Sequence, residues 1–223
     1  TINEIGYSSA TIYYEFECER EELDTSLIRP AGDGTEGNPF QITNVGELYW
    51  FAAFVNGTAS YPDGVTVERK DACAILMNDI TVNPELLTED GTANGNSGFA
   101  YWIPIGFYSN YSGTFDGQNH TINGLLLNHP DAYAKYGEIG FAAELTSGGC
   151  IRDLTIADSL FAPPISSKEY FVGGIVGRMW AGTSVINCHF QGTIRANTTY
   201  YLHTLGGIAG CSNGTVTDCT SRG

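Results

Sequence analysis

The chain has 223 residues, a net charge of −15 and a 42% share of hydrophobic residues, enough for one elongated domain with a sizeable core. Its acids crowd the front, since residues 1–90 hold 17 acidic and 4 basic side chains and residues 91–223 hold 8 and 6. The clustered Lys and Arg that nucleic acid, anionic lipid or a polyuronate would require are therefore absent, and no apolar run approaches the ~18 residues of a spanning helix.

The acidity suits the solubility of an exported protein. The sequence opens on Thr1 without a secretory signal and stops at Gly223 inside a repeat copy, so a segment of a longer protein is expected. Ala10 to Cys18 alternates Ile12, Tyr14, Phe16 and Cys18 against Thr11, Tyr13, Glu15 and Glu17. That spacing predicts a half-buried leader strand with an acidic outer face.

A helix is predicted over Val45–Asn56. Asn44 and Glu47 make a capping box, Val45, Leu48, Phe51, Ala52 and Val55 form one apolar stripe, and Gly57 is placed to end it. Because an open sheet end leaves backbone groups unpaired, this helix is assigned to cap the strands that follow. Ala72 to Val82 then reads as the first strand of those coils, and Pro84 to Ala100, rich in Gly, Asn and acids, as a long loop out of it. Tyr101, Trp102, Tyr108 and Tyr111 come next. They are candidates for a sugar or protein contact surface, against the alternative that they cover the end of a core.

The second half is a degenerate repeat. A short strand occurs as His120 to Leu127, Cys150 to Ile156, Ser184 to Phe190 and Thr215 to Ser221, with leading apolar residues Ile122, Ile151, Val185 and Val216 at steps of 29, 34 and 31 residues. Such periods mean a solenoid, whose units bury their apolar faces only by stacking. Within each copy the inward residues recur at i, i+3 and i+5, whereas a continuous strand keeps period 2. Gly124, Asp153, Asn187 and Asp218 precede the second inward residue and are types that tolerate a left-handed backbone, so they are assigned to equivalent corners. The expected ladders are Ile122, Ile151, Val185 and Val216, and beside it Leu125, Leu154, Cys188 and Cys219.

Glycine-rich strands precede the later copies, Val172-Gly-Gly-Ile-Val-Gly177 and Leu205-Gly-Gly-Ile-Ala-Gly210, with a divergent Glu138-Ile-Gly-Phe-Ala142 before them. Several glycines in six residues would each cost a helix about 1 kcal/mol, so these are strands in which backbones approach closely. Cys188 and Cys219 take equivalent inward places as stacked thiols or as a bridge, and Cys18 and Cys73 could pair.

Trp102-Ile-Pro-Ile-Gly106, the run Tyr111-Ser-Gly-Thr-Phe-Asp-Gly-Gln-Asn-His-Thr-Ile-Asn-Gly-Leu125 and the Gly-Gly-Ile-x-Gly strands resemble the bacterial surface proteins that carry GLUG-type repeats. Similar repeats occur in Gram-positive and Bacteroides adhesin-like proteins and beside secreted immunoglobulin A peptidases. Gly37 to Gly57 resembles their opening segment, and the likeness runs from about Gly32 onward. It implies an extracellular protein, at the cell surface or secreted, whose partner is a host or community glycan or a surface protein.

Catalytic constellations are not visible. His120, His129, His189 and His203 make no His-Glu-x-x-His spacing, and no Gly-x-Ser-x-Gly, phosphate loop or Cys-x-x-Cys occurs. Of the acids on the repeats, Asp153 and Asp218 have corner roles, Asp116 lies in a Phe-Asp-Gly turn, and Asp158 is the remaining one. Asp33-Gly-Thr-Glu36 and Glu89-Asp-Gly read as turns rather than calcium loops. The sequence thus predicts an all-β, right-handed parallel β-helix with an N-terminal capping helix and a short leader strand. Residues 1–31 form the leader and 32–223 the β-helix domain. Its expected role is a non-enzymatic adhesin-like stalk or binding scaffold with no metal or cofactor, against a polysaccharide-active hydrolase or lyase, or an accessory domain of a secreted protease.

Overall fold

The computed structural model describes residues 26–59, 69–95, 98–128, 137–163, 170–195 and 204–223. The leader strand over Ala10–Cys18, His129 and His203 lie outside them, and Cys73 is a free thiol, which corrects its expected pairing with Cys18. In chain order the elements are β1 (Phe40–Ile42), α1 (Val45–Val55), β2 (Ala74–Leu76), β3 (Ile80–Thr81), β4 (Thr114–Asn123), β5 (Leu126–Leu127), β6 (Glu138–Ile139) and β7 (Ala142–Leu145). There follow β8 (Cys150–Phe161), β9 (Phe171–Gly173), β10 (Val176–Met179), β11 (Ser184–Ile194), β12 (Thr204–Gly206), β13 (Ala209–Ser212), β14 (Thr215–Thr217) and β15 (Thr220–Arg222).

The strands form a parallel β-solenoid of about 4 turns. A nine-stranded sheet runs β1-β2-β4-β8-β11-β14, with β3 beside β4, β5 beside β8 and β15 beside β11, and two three-stranded sheets run β13-β10-β7 and β12-β9-β6. A rung is therefore two short strands and one long one, as in β6, β7 and β8, repeated in β9, β10 and β11. Glycine makes the corner between the two short strands possible. Phe115, Ile151, Val185 and Val216 stand in register along the long sheet, and the first three are buried while Val216, on the last strand, is exposed.

The first long rung is phased differently from the expected alignment. Phe115, not Ile122, is the neighbour of Ile151, and Ile122 lies beside Ile156. His120, not Leu125, is the partner of Leu154, while Leu125 donates its N–H to Ser159 Oγ at 2.9 Å. The cause is an insertion: β4 spends Asp116 to His120 where β8 spends Arg152 to Leu154, and it turns through two left-handed residues, Gln118 (φ 49°) and Asn119 (φ 63°).

Helix α1 follows its capping signals. Asn44 accepts from the Glu47 N–H at 3.0 Å, the Glu47 carboxylate reaches back to the Thr43 N–H at 2.7 Å, and Gly57 has φ 69°. Its buried face is wider than the predicted stripe and includes Trp50 and Phe54, because Phe40 packs edge-on against both rings. Phe51 meets Tyr111 and Phe115 at 6.2 and 5.8 Å, so the helix closes the aromatic interior at the N-terminal side. Asn56, 7% exposed, then ties this end to the following loop by accepting from Phe107 N–H at 2.8 Å and donating to Pro104 O at 3.0 Å.

The loop beyond Pro84 is closed at its base by one side chain. Asn83 accepts from the Ala100 N–H at 2.8 Å and donates to the Ala100 and Gly124 carbonyls at 2.9 and 2.8 Å. Leu86 adds a small apolar contact with Leu126 and Leu160.

Candidate functional site

The four aromatic candidates divide into two pairs. Trp102 and Tyr111 are fully buried, so they do not offer rings to a ligand and take the alternative place, in the core. Trp102 stacks on Phe141 at 5.6 Å and donates its indole N–H to the Phe141 carbonyl at 3.1 Å. Tyr111 donates its hydroxyl to Ala72 O at 2.8 Å, and burial pushes its titration well up. Both are packing residues with a satisfied polar tip. Tyr101 and Tyr108 are 42% and 43% exposed, and Tyr108 leans edge-on against Phe107 at 5.1 Å.

All four corner residues have positive φ: Gly124 77°, Asp153 52°, Asn187 49° and Asp218 54°. Asp153 and Asn187 precede the register-paired Leu154 and Cys188, and Asp218 precedes Cys219, whose Sγ accepts from the Cys188 N–H at 3.4 Å. Gly124 is not equivalent to them. It lies one step after the Asn123–Ala157 pair, at the second corner, where Asp158 (φ 47°) is its counterpart. Asn119 holds the first-corner place in β4. The Asn187 amide joins three successive coils by donating to Asp153 Oδ1 at 2.7 Å and Asn119 Oδ1 at 3.2 Å.

The remaining acids near the strands are tied to neighbours. Asp116 accepts from Arg152 at 2.8 Å and from the Gln118 N–H at 2.8 Å. Asp79 sits 3.1 Å from the His120 Nδ1, and the Thr121 N–H, first, and then His120 lower its carboxyl below the ordinary range. His189 Nδ1 lies 2.8 Å from Thr220 Oγ1. Asp33 and Asp90 close small turns by accepting from Thr35 and Thr92, and the Thr88 and Thr92 hydrogen bonds hold the Asp90 carboxyl at about 2. Cys188 and Cys219 are free thiols stacked on adjacent coils, and burial pushes the Cys188 thiol up to about 12.

One outward cluster escaped the sequence reading. On the flank formed by β6, β7, β9 and β10, the Arg178 guanidinium lies 4.2 Å from the Phe171 ring centroid and 5.7 Å from that of Trp180. Arg178 Nε faces Glu138 Oε1 at 3.6 Å, and the Trp180 indole N–H is held by the Glu144 carboxylate. Trp180 is 44% exposed. The available signal was Arg178-Met-Trp180 following a glycine strand, but it sits outside the repeated inward positions and so carries no periodicity.

Among known proteins, Halomucin of Haloquadratum walsbyi is 29% identical over 182 residues, which is 80% of this chain and 2% of Halomucin's length. A crystal structure from Bacteroides ovatus, described as a candidate immunoglobulin A1 protease, is similar with a TM-score of 0.40 and 14% identity, over 85% of this chain and 77% of that one. Residues 172–195 match the GLUG motif family, so the chain carries a GLUG rung that runs from β9 through the whole of β11.

Proposed function

We propose that this chain is a non-enzymatic extracellular repeat domain of a surface protein, acting as an adhesin-like stalk or binding scaffold for a glycan or a surface protein. One observation carries the non-enzymatic reading: the acids beside the long strands are committed to geometry. Asp153, Asp158 and Asp218 hold left-handed corners, and Asp116 is paired with Arg152. A hydrolase needs two carboxylates opposed across a cleft with separated proton affinities, and a residue that must hold a corner is poorly placed for that work.

The GLUG rung and the likeness to a stretch of Halomucin support a surface repeat domain. The fold suits such a role because stacked rungs bury one another's inward residues and leave the outward ones free to vary. The test is incubation of the purified chain with glycan and polyuronate panels followed by product detection, beside retention on a glycan and host-protein array. Retention without turnover is expected. Turnover that disappears in Asp116→Asn or Asp158→Asn overturns the non-enzymatic reading.

A further inference from the structure

The structure assigns a saccharide-binding site to the outward cluster of Phe171, Arg178, Trp180, Glu138 and Glu144, with a neutral pyranose as the ligand class. This rests on the binding-scaffold reading and names where and what it binds. The coils themselves do not require these residues. The Trp180 backbone N–H donates to Leu145 O, and one rung later the Asn213 backbone N–H donates to Met179 O, so Asn213 is the counterpart of Trp180. In the same way Arg178 aligns with Glu144 and Cys211, and Phe171 with Glu138 and Thr204. Neighbouring rungs stack with small or polar side chains at these places, so an exposed indole beside a stacked arginine is a local departure rather than part of the repeat.

The departure has the chemistry of sugar recognition. A pyranose presents a face of C–H bonds and a rim of hydroxyls, which calls for an exposed aromatic face bordered by planar donors and acceptors. Trp180 supplies the face, and the hydrogen bond from its indole N–H to Glu144 fixes the ring before any ligand arrives. Glu138 and Glu144 offer acceptor oxygens on the rim. Arg178 supplies donors, and its Nε–H is buried without a hydrogen-bond partner, so ring stacking and the Glu138 charge hold it in place.

Charge narrows the ligand. Two carboxylates against one guanidinium, on a chain of net charge −15, oppose uronates and sulfated sugars. Cationic ligands are opposed too, because Arg178 already lies against both rings.

The chain carries three tryptophans, and Trp50 and Trp102 are 3% and 0% exposed, which makes Trp180 the one open to a quencher. The experiment is acrylamide quenching of the 223-residue chain during titration with soluble oligosaccharides of glucose, galactose, mannose and N-acetylglucosamine, with polygalacturonate as the anionic comparison. The same panel is repeated with Trp180→Asn, the residue the next rung carries. Protection of the quenchable fluorescence by a neutral oligosaccharide, and a loss of array affinity of at least about tenfold in Trp180→Asn, are expected. Absence of protection by every neutral sugar overturns the site, and this readout needs no variant to fold. If Trp180→Asn binds the array as the parent does, the site falls while the scaffold reading stands. If the parent binds neither glycans nor host proteins, both fall.

Discussion

Replacing Gly173 with alanine tests whether close backbone approach explains the glycine-rich strands. A Cβ at Gly173 would lie 2.7 Å from both Gly210 N and Ile208 O and closer still to Val176 O. The obstruction is backbone, so no rotamer change relieves it. It also falls where Ile175 and Val176 donate to the Ile208 carbonyl at 2.9 and 3.0 Å, the bonds that hold neighbouring rungs at ~4.8 Å. Overpacking costs about 1–3 kcal/mol, and weakening two ladder bonds adds roughly 1 kcal/mol each. Stiffening the unfolded chain returns about 0.4–1 kcal/mol, leaving a net loss of roughly 3 kcal/mol. Gly182 is the comparison, because its φ is 81° and a Cβ there meets nothing within 4 Å. Gly182→Ala should cost only the left-handed backbone, about 1–2 kcal/mol. Urea midpoints at constant slope give both values. Gly173→Ala no more destabilising than Gly182→Ala would refute the close-approach argument for the motif.

Asn44→Ala removes the acceptor for the Glu47 N–H and should lower stability by about 1 kcal/mol, read as a shifted urea midpoint; an unchanged midpoint would mean that tertiary packing alone holds α1. Cys188 titrates near 12 when folded against an ordinary thiol value of 9.0. Its unfolded form ionises first, so this residue's contribution leaves stability flat below about pH 9 and lowers it as pH rises toward 12. Cys188→Ala should flatten that alkaline slope, and at neutral pH the native Cys188 should resist iodoacetamide until the chain unfolds, as peptide mass spectrometry would show.

Much of the architecture was legible because stacking imposes a rule on sequence. Inward residues must be apolar at matching positions, which exposed Ile151, Val185 and Val216, and corners must tolerate positive φ, which exposed Asp153, Asn187 and Asp218. Helix α1 was readable from its caps for a similarly local reason. The first rung misled for a physical cause. Gly124 is a real left-handed corner, so Ile122, Leu125 and Leu127 imitate the i, i+3, i+5 pattern, but it belongs to the second bend of the long strand. Only pairing partners separate the two, and the insertion at Gln118 and Asn119 hides the offset from any count of residues.

The candidate site was illegible for the complementary reason. Periodicity reports the residues that stacking constrains, and a ligand meets the residues that stacking leaves alone. Trp102 and Tyr111 drew attention as an aromatic cluster, yet an aromatic next to a solenoid end is readily consumed by the core, where Phe141 and Ala72 satisfy both polar tips. Trp180 carried no such signal. Its meaning arises only when the end of β10 places it against Arg178 and beside Glu144 of the previous rung, a whole turn of the coil earlier in sequence. In a solenoid, then, the core is found by what repeats, and a binding site is sought among outward residues that break the repeat without disturbing it.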